Sequence, residues 1–174
     1  RIGKEEGLSP VERTELLINM YKNLIIENLI DIKEDGSFRL NLDYFKFHRG
    51  FRMTSRKFNQ LFGSLPRTRE SELNQFHMDL AASIQAVTEE IVIKLAKNLQ
   101  KETGKKNLCL AGGVALNCVA NGKLLKEKIF DEIWIQPASG DAGSALGAAL
   151  IGWHDYHQKP RMVDPEDSMN GTYL

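Results

Sequence analysis

Apolar residues recur at three- and four-residue steps through Leu16, Leu17, Met20, Tyr21, Leu24, Ile25 and Leu29, the spacing of one buried helical face. Ser9-Pro10-Val11-Glu12 marks the start of that helix: Ser9 is the N-cap, Pro10 suits the first helical position, and Glu12 completes a capping box. The helix is predicted to stop near Asp31, ahead of the Asp35-Gly36 turn signal. Residues 37–42 then alternate, with Phe38, Leu40 and Leu42 on one face, and read as a strand. Tyr44, Phe45, Phe47 and Phe51 follow, and read as core aromatics. The longest helical pattern covers 70–103, with Leu73, Phe76, Leu80, Ile84, Val87, Ile91, Leu95 and Leu99 as its seam. Ala81, Ala82, Ser83 and Ala86 give it a second, small-residue face, and Gly104 is its C-cap.

Residues 107–150 repeat one local plan twice. Leu108-Cys109-Leu110-Ala111 is an apolar run that ends in Gly112-Gly113 and leads into a small-residue helix over 114–128. Ile133-Trp134-Ile135 ends in Pro137-Ala138-Ser139-Gly140-Asp141 and leads into a second such helix over 142–150. Strand, glycine turn and helix together bring backbone N–H groups and a positive helix end toward an anionic or polar ligand. Neither G-x-G-x-x-G nor G-x-x-x-x-G-K-S/T is present. The spacing therefore leaves two compatible readings: a nucleotide or phosphate site, or two tight turns whose Gly143, Ala145, Gly147, Ala148 and Ala149 permit close packing. Asp141 either caps the second helix or points into the cleft above the strand ends.

The order helix, strand, long helix, strand–helix, strand–helix makes the chain α/β. Its 174 residues suit one domain, and 42% hydrophobic with 26% charged content is that of a globular protein. Lys plus Arg equals Asp plus Glu at 23 each, so no global charge favours nucleic acid or an anionic membrane. No apolar run approaches the ~20 residues of a membrane span. Cys109, in a strand, and Cys118, in a helix, read as reduced core residues of a cytoplasmic protein. Arg49, Arg52, Arg56, Arg67 and Arg69 make 47–70 locally basic, either solvated and paired with Glu70 and Glu72 or facing an anion. His154 and His157 stand three apart, but with no carboxylate or thiol partner they read as solvent-exposed.

LAGGVALNCVANGKL followed by PASGDAGSALGAAL resembles the nucleotide-binding half of the carbamoyltransferase family, which carbamoylates hydroxyl groups on antibiotics and nodulation factors. DGSFRLNLDYFKFHRG and FHMDLAASIQAVTEE resemble further segments of that family. The resemblance implies half of an actin-like (ribonuclease H-like) ATPase domain, a mixed sheet with packed helices. Residues 1–158 would be the C-terminal lobe of the family's main domain and 159–174 a linker toward a second domain, so the chain reads as a piece of a longer protein. The implied chemistry is transfer of a carbamoyl group, from carbamoyladenylate made with ATP and carbamoyl phosphate, to a small-molecule hydroxyl. Matched by motif, Gly112, Gly113, Asn117, Asn121, Gly140 and Gly143 would contact the nucleotide, and Asp141 would be one ligand of a divalent metal, Fe or Mg. Capping by Asn117 and an exposed position for Asn121 are the competing readings. The family's histidine pair, four residues apart, has no counterpart among His48, His77, His154 and His157, so the metal site is expected to be incomplete. Lys4-Glu5-Glu6-Gly7-Leu8-Ser9-Pro10 matches the family's K-x-M-G-L-A-P-Y-G loop only loosely, so the acceptor does not transfer. A sugar-kinase-like phosphotransferase or ATPase lobe and a non-catalytic nucleotide-binding scaffold are the rival readings.

Overall fold

A computed structural model describes residues 8–162, and the chain divides into two compact units, Arg1–Asn98 and Leu99–Leu174. The loosely matched Lys4-Glu5-Glu6-Gly7 loop and the polar tail from Asp164 lie outside the described residues.

The first unit begins with α1 (Pro10–Leu24), started by the capping box read from the sequence. Glu12 Oε2 accepts the Ser9 N–H at 2.8 Å, and Ser9 Oγ accepts the Glu12 N–H at 3.3 Å. The helix does not run to Asp31. It widens into one π-helical turn, Ile25–Leu29, and passes into a short strand, β1 (Ile30–Ile32). β1 pairs antiparallel with β2 (Phe38–Leu40), Ile30 opposite Leu40 and Ile32 opposite Phe38. The turn between them is held by Asp35, whose Oδ1 accepts the Ser37 N–H at 2.9 Å and its hydroxyl at 2.7 Å. Gly36 at its tip has φ +85°, and a Cβ there would stand 2.5 Å from the Leu95 backbone nitrogen.

A further helix, α2 (Arg56–Phe62), lies within the arginine-rich stretch and ends at Gly63, φ +64°. Phe58, Leu61 and Phe62 recur on its inner face, and Phe62 joins Ile25, Leu29, Ile30, Val87 and Ile91 in the core. Each such buried side chain contributes about 2 kcal/mol of burial free energy. Tyr21 bridges this core edge-on, 6.0 Å from Phe62 and 5.7 Å from Phe76.

The long helix α3 (Gln75–Thr103) buries Asp79, Ser83, Val87 and Ile91, a stripe of four-residue steps. Ile84 and Leu95, expected in its seam, are exposed. The small residue explains the offset: α1 meets α3 at Ser83, whose hydroxyl lies 3.0 Å from the Ile18 carbonyl and 2.6 Å from the Asp79 carbonyl. A larger side chain there would hold the α1 backbone away.

In the second unit β3 (Asn107–Leu110) pairs parallel with β4 (Glu132–Ile135), Leu108 opposite Ile133, Cys109 opposite Trp134 and Leu110 opposite Ile135. Between them runs α4 (Cys118–Lys126), which packs Ala120 and Leu124 inward, and Phe130 closes that core. β4 leads through residues 136–142 into α5 (Gly143–Ile151). The described strands form two separate two-stranded sheets, one antiparallel and one parallel, where a single mixed sheet was expected. Cys109 and Cys118 are exposed, against expectation. Residues of β3 alternate between faces, so Leu108 turns inward while Cys109 shares the outer face with Trp134.

Candidate functional site

Both glycine turns of the second unit stand at the C-terminal ends of their strands, and the hydrogen-bond ladder joins them. The Gln136 N–H donates to the Leu110 carbonyl at 3.1 Å, and the Gly112 N–H donates to the Ser139 carbonyl at 2.8 Å. Gly112 turns the chain there with φ +96° and ψ 165°, a backbone region open essentially to glycine alone. The two turns and the first part of α5 enclose a cleft of about 520 Å³. That is the size of a small-molecule site.

Five of the seven residues singled out by sequence line this cleft together: Gly112, Gly113, Gly140, Asp141 and Gly143. A Cβ at Gly113 would meet nothing within 4 Å, so the wall is bare backbone. Gly143 is small for a different reason. Its Cβ would stand 2.3 Å from the Ala138 carbonyl oxygen, and its N–H donates to the Gly140 carbonyl at 3.0 Å. Gly143 therefore closes the turn, and its amide is engaged within it.

Asp141 is exposed, and the residue at the N-cap of α5 is Ala142, with no side-chain cap. The Asp141 carboxylate is thus not the helix cap, and it stands in the cleft wall near the positive end of α5. Among the described residues no group of three or more His, Cys, Asp or Glu side chains forms a metal cluster.

Asn117 and Asn121 are not in the cleft wall. Asn117 is the N-cap of α4, its Oδ1 accepting the Ala120 N–H at 3.0 Å. Asn121 Nδ2 donates to the Ala115 carbonyl at 2.8 Å. Both side chains brace the junction between the Gly113–Leu116 turn and α4.

Sequence reasoning passed over Gln136 and Ser139, which also line the cleft. Gln136 Oε1 and Ser139 Oγ are buried without a hydrogen-bond partner among the described residues. The available signal is a glutamine and a serine in the short segment that joins the second strand to its glycine turn.

The carbamoyltransferase N-terminus family model matches residues 13–150, most of the chain and every one of these cleft residues. The chain belongs to the carbamoyltransferase family. This carbamoyltransferase-family chain is 58% identical, over 154 residues, to an uncharacterised protein of Synechocystis sp., sll1178, covering 88% of the chain and 25% of that protein. It is 40% identical over 128 residues to nodulation protein NolNO of Sinorhizobium fredii, 73% of the chain and 17% of that protein. It is 51% identical over 85 residues to nodulation protein NolO of Bradyrhizobium diazoefficiens, 49% of the chain and 16% of that protein. The chain spans a quarter or less of the length of these curated relatives. Among its described residues no helix is long and apolar enough to cross a membrane.

Proposed function

We propose that this chain is the nucleotide-binding lobe of an O-carbamoyltransferase, half of an actin-like ATPase domain. Residues 1–158 belong to the lobe and 159–174 to a linker toward a further domain. The whole protein, cytoplasmic in this proposal, makes carbamoyladenylate from ATP and carbamoyl phosphate: water releases phosphate from carbamoyl phosphate, and the carbamate oxygen then bonds to the α-phosphorus of ATP as pyrophosphate leaves. It then transfers the carbamoyl group to the hydroxyl of a small molecule. The acceptor oxygen bonds to the carbamoyl carbon, the bond from that carbon to the adenylate oxygen breaks, AMP leaves, and the hydroxyl proton passes to a base.

The observation that carries the proposal is the meeting of two glycine turns in one cleft beside the N-terminus of α5, in a chain of this family. Bare backbone at Gly112, Gly113 and Gly140 lets a nucleotide lie close, and the α5 dipole favours its phosphates. The lobe's contribution is binding and orientation: no Cys, His, Lys or Tyr lines the cleft among the described residues, and its polar side chains are those of Gln136, Ser139, Asp141 and Ser144. Asn117 and Asn121 act one layer out, holding the Gly113–Leu116 turn against α4. Asp141 would hold a divalent cation, Fe or Mg, as one hard oxygen ligand beside the phosphates. That cation would stabilise charge on the leaving phosphate. Asp141 is the one carboxylate among the described residues that line the cleft, and no cluster of three or more His, Cys, Asp or Glu surrounds it.

Calorimetric titration of ATP into this chain tests the proposal, with Gly113→Val as the control. Valine there meets no protein atom near its Cβ, so the fold stands while the cleft narrows. ATP binding that fails in Gly113→Val is the expected result. Equal binding by both, or none by a folded wild type, removes this cleft as the nucleotide site of the chain.

A further inference from the structure

Two residues of the cleft wall each bury a polar atom that lacks a partner among the described residues, Ser139 its Oγ and Gln136 its Oε1. They stand three residues apart in the segment between β4 and α5. Ser139 is only 5% exposed, so solvent does not satisfy its hydroxyl. Polar atoms buried in this way are rare in folded proteins and costly, and a ligand that supplies the missing hydrogen bond recovers that cost. Their chemistry defines the ligand. An amide oxygen only accepts, so Gln136 Oε1 requires an N–H or O–H from its partner and disfavours a bare phosphate oxygen. The Ser139 hydroxyl donates one hydrogen bond and accepts others.

We propose that Gln136 and Ser139 are the specificity-determining contacts of this cleft, and that they grip an amide-like edge: an NH₂ donor beside a hydrogen-bond acceptor. The proposal rests on the carbamoyladenylate reading given above. Two groups of that ligand carry such an edge, the adenine ring with its amino group and the carbamoyl group with its NH₂ beside a carbonyl. The phosphates are left to the glycine backbone and the α5 terminus.

The test is calorimetry on the 174-residue chain with two matched ligand pairs. ATP and purine riboside triphosphate differ only in the amino group of the base. Carbamoyl phosphate and acetyl phosphate differ in NH₂ against methyl. Wild type is expected to prefer the amino-bearing member of one pair by about five- to tenfold, the size of one hydrogen bond in a buried site. Which pair shows the preference identifies the group that is gripped. Ser139→Ala and Gln136→Met should each reduce that preference severalfold. A melting scan separates recognition from folding: deleting an unpartnered hydroxyl leaves the melting temperature unchanged or raised. The proposal is overturned by a wild type that binds but shows no preference, by variants that keep it, or by a melting temperature that drops in both variants. Those results leave the nucleotide reading standing. A folded wild type that binds neither ATP nor carbamoyl phosphate overturns both.

Discussion

The Gly112 N–H donates to the Ser139 carbonyl at 2.8 Å, and this one bond ties the turn after β3 to the turn after β4. It forms because Gly112 adopts φ +96°, which presents its amide across the strand ends. Gly112→Ala should therefore cost about 1–3 kcal/mol, the usual range for a side chain forced into that region. A urea titration of the two proteins measures it, and an unchanged midpoint would mean the turn has another low-energy form.

Two glycines of the α5 wall should respond with opposite signs. A methyl group at Gly143 collides with the Ala138 carbonyl, so Gly143→Ala should lose about 2–3 kcal/mol as the turn shifts. A Cβ at Gly147 meets nothing within 4 Å. Gly147→Ala should gain roughly 0.5–1 kcal/mol through lower backbone entropy in the unfolded chain. Paired urea midpoints check both signs, and the same sign for both would contradict the geometry.

The first unit carries a pH-dependent clamp. Glu90 accepts from Lys22 at 2.9 Å and from Lys94 at 3.0 Å. The Lys22 hydrogen bond, followed by that of Lys94, holds the Glu90 carboxyl below its ordinary value of 4.5. A lowered folded pKa gives stability that is present above 4.5 and lost as pH falls through the folded value. Glu90→Gln should be less stable than wild type at neutral pH, with the two urea midpoints converging in acid. A constant gap across that range would assign the loss to packing.

Ser83 is fully buried where α1 meets α3. Ser83→Leu should cost about 2–3 kcal/mol, because the added volume has to push the α1 backbone off α3. Ser83→Ala should be far milder. Thermal melts followed by far-ultraviolet circular dichroism compare them.

Local chemistry was legible in the sequence and long-range choice was not. The Ser9–Glu12 capping box and the Asp35–Gly36 turn are decided within a few residues, and both stand in the structure. The glycine turns were readable for the same reason, and five of seven proposed cleft residues do share one wall. The end of α1 was not readable, because Leu24, Ile25 and Leu29 keep helical spacing through a π-helical turn into a strand of three residues. α2 is hard to read inside the arginine-rich stretch around it, although Phe58, Leu61 and Phe62 ahead of Gly63 carry the helical period and its stop. The α3 stripe was assigned by hydrophobicity, whereas close approach of α1 selected Ser83. For Asn117 the sequence leaves a ligand contact and a helix cap open, and its side chain caps α4 at the Ala120 N–H; Asn121, read as a ligand contact or an exposed polar position, donates to the Ala115 carbonyl.

The outer face of β3 and β4 carries Trp134, and the turn after α5 carries Trp153, the two tryptophans of the chain. Both are about half exposed, at 55% and 54%, and both belong to the second unit. Fluorescence excited at the tryptophan edge therefore reports on the cleft-bearing unit alone. The first unit holds Tyr21 and Tyr44 but no tryptophan, so a denaturation followed at the tryptophan edge reads the unfolding of the second unit without signal from the first.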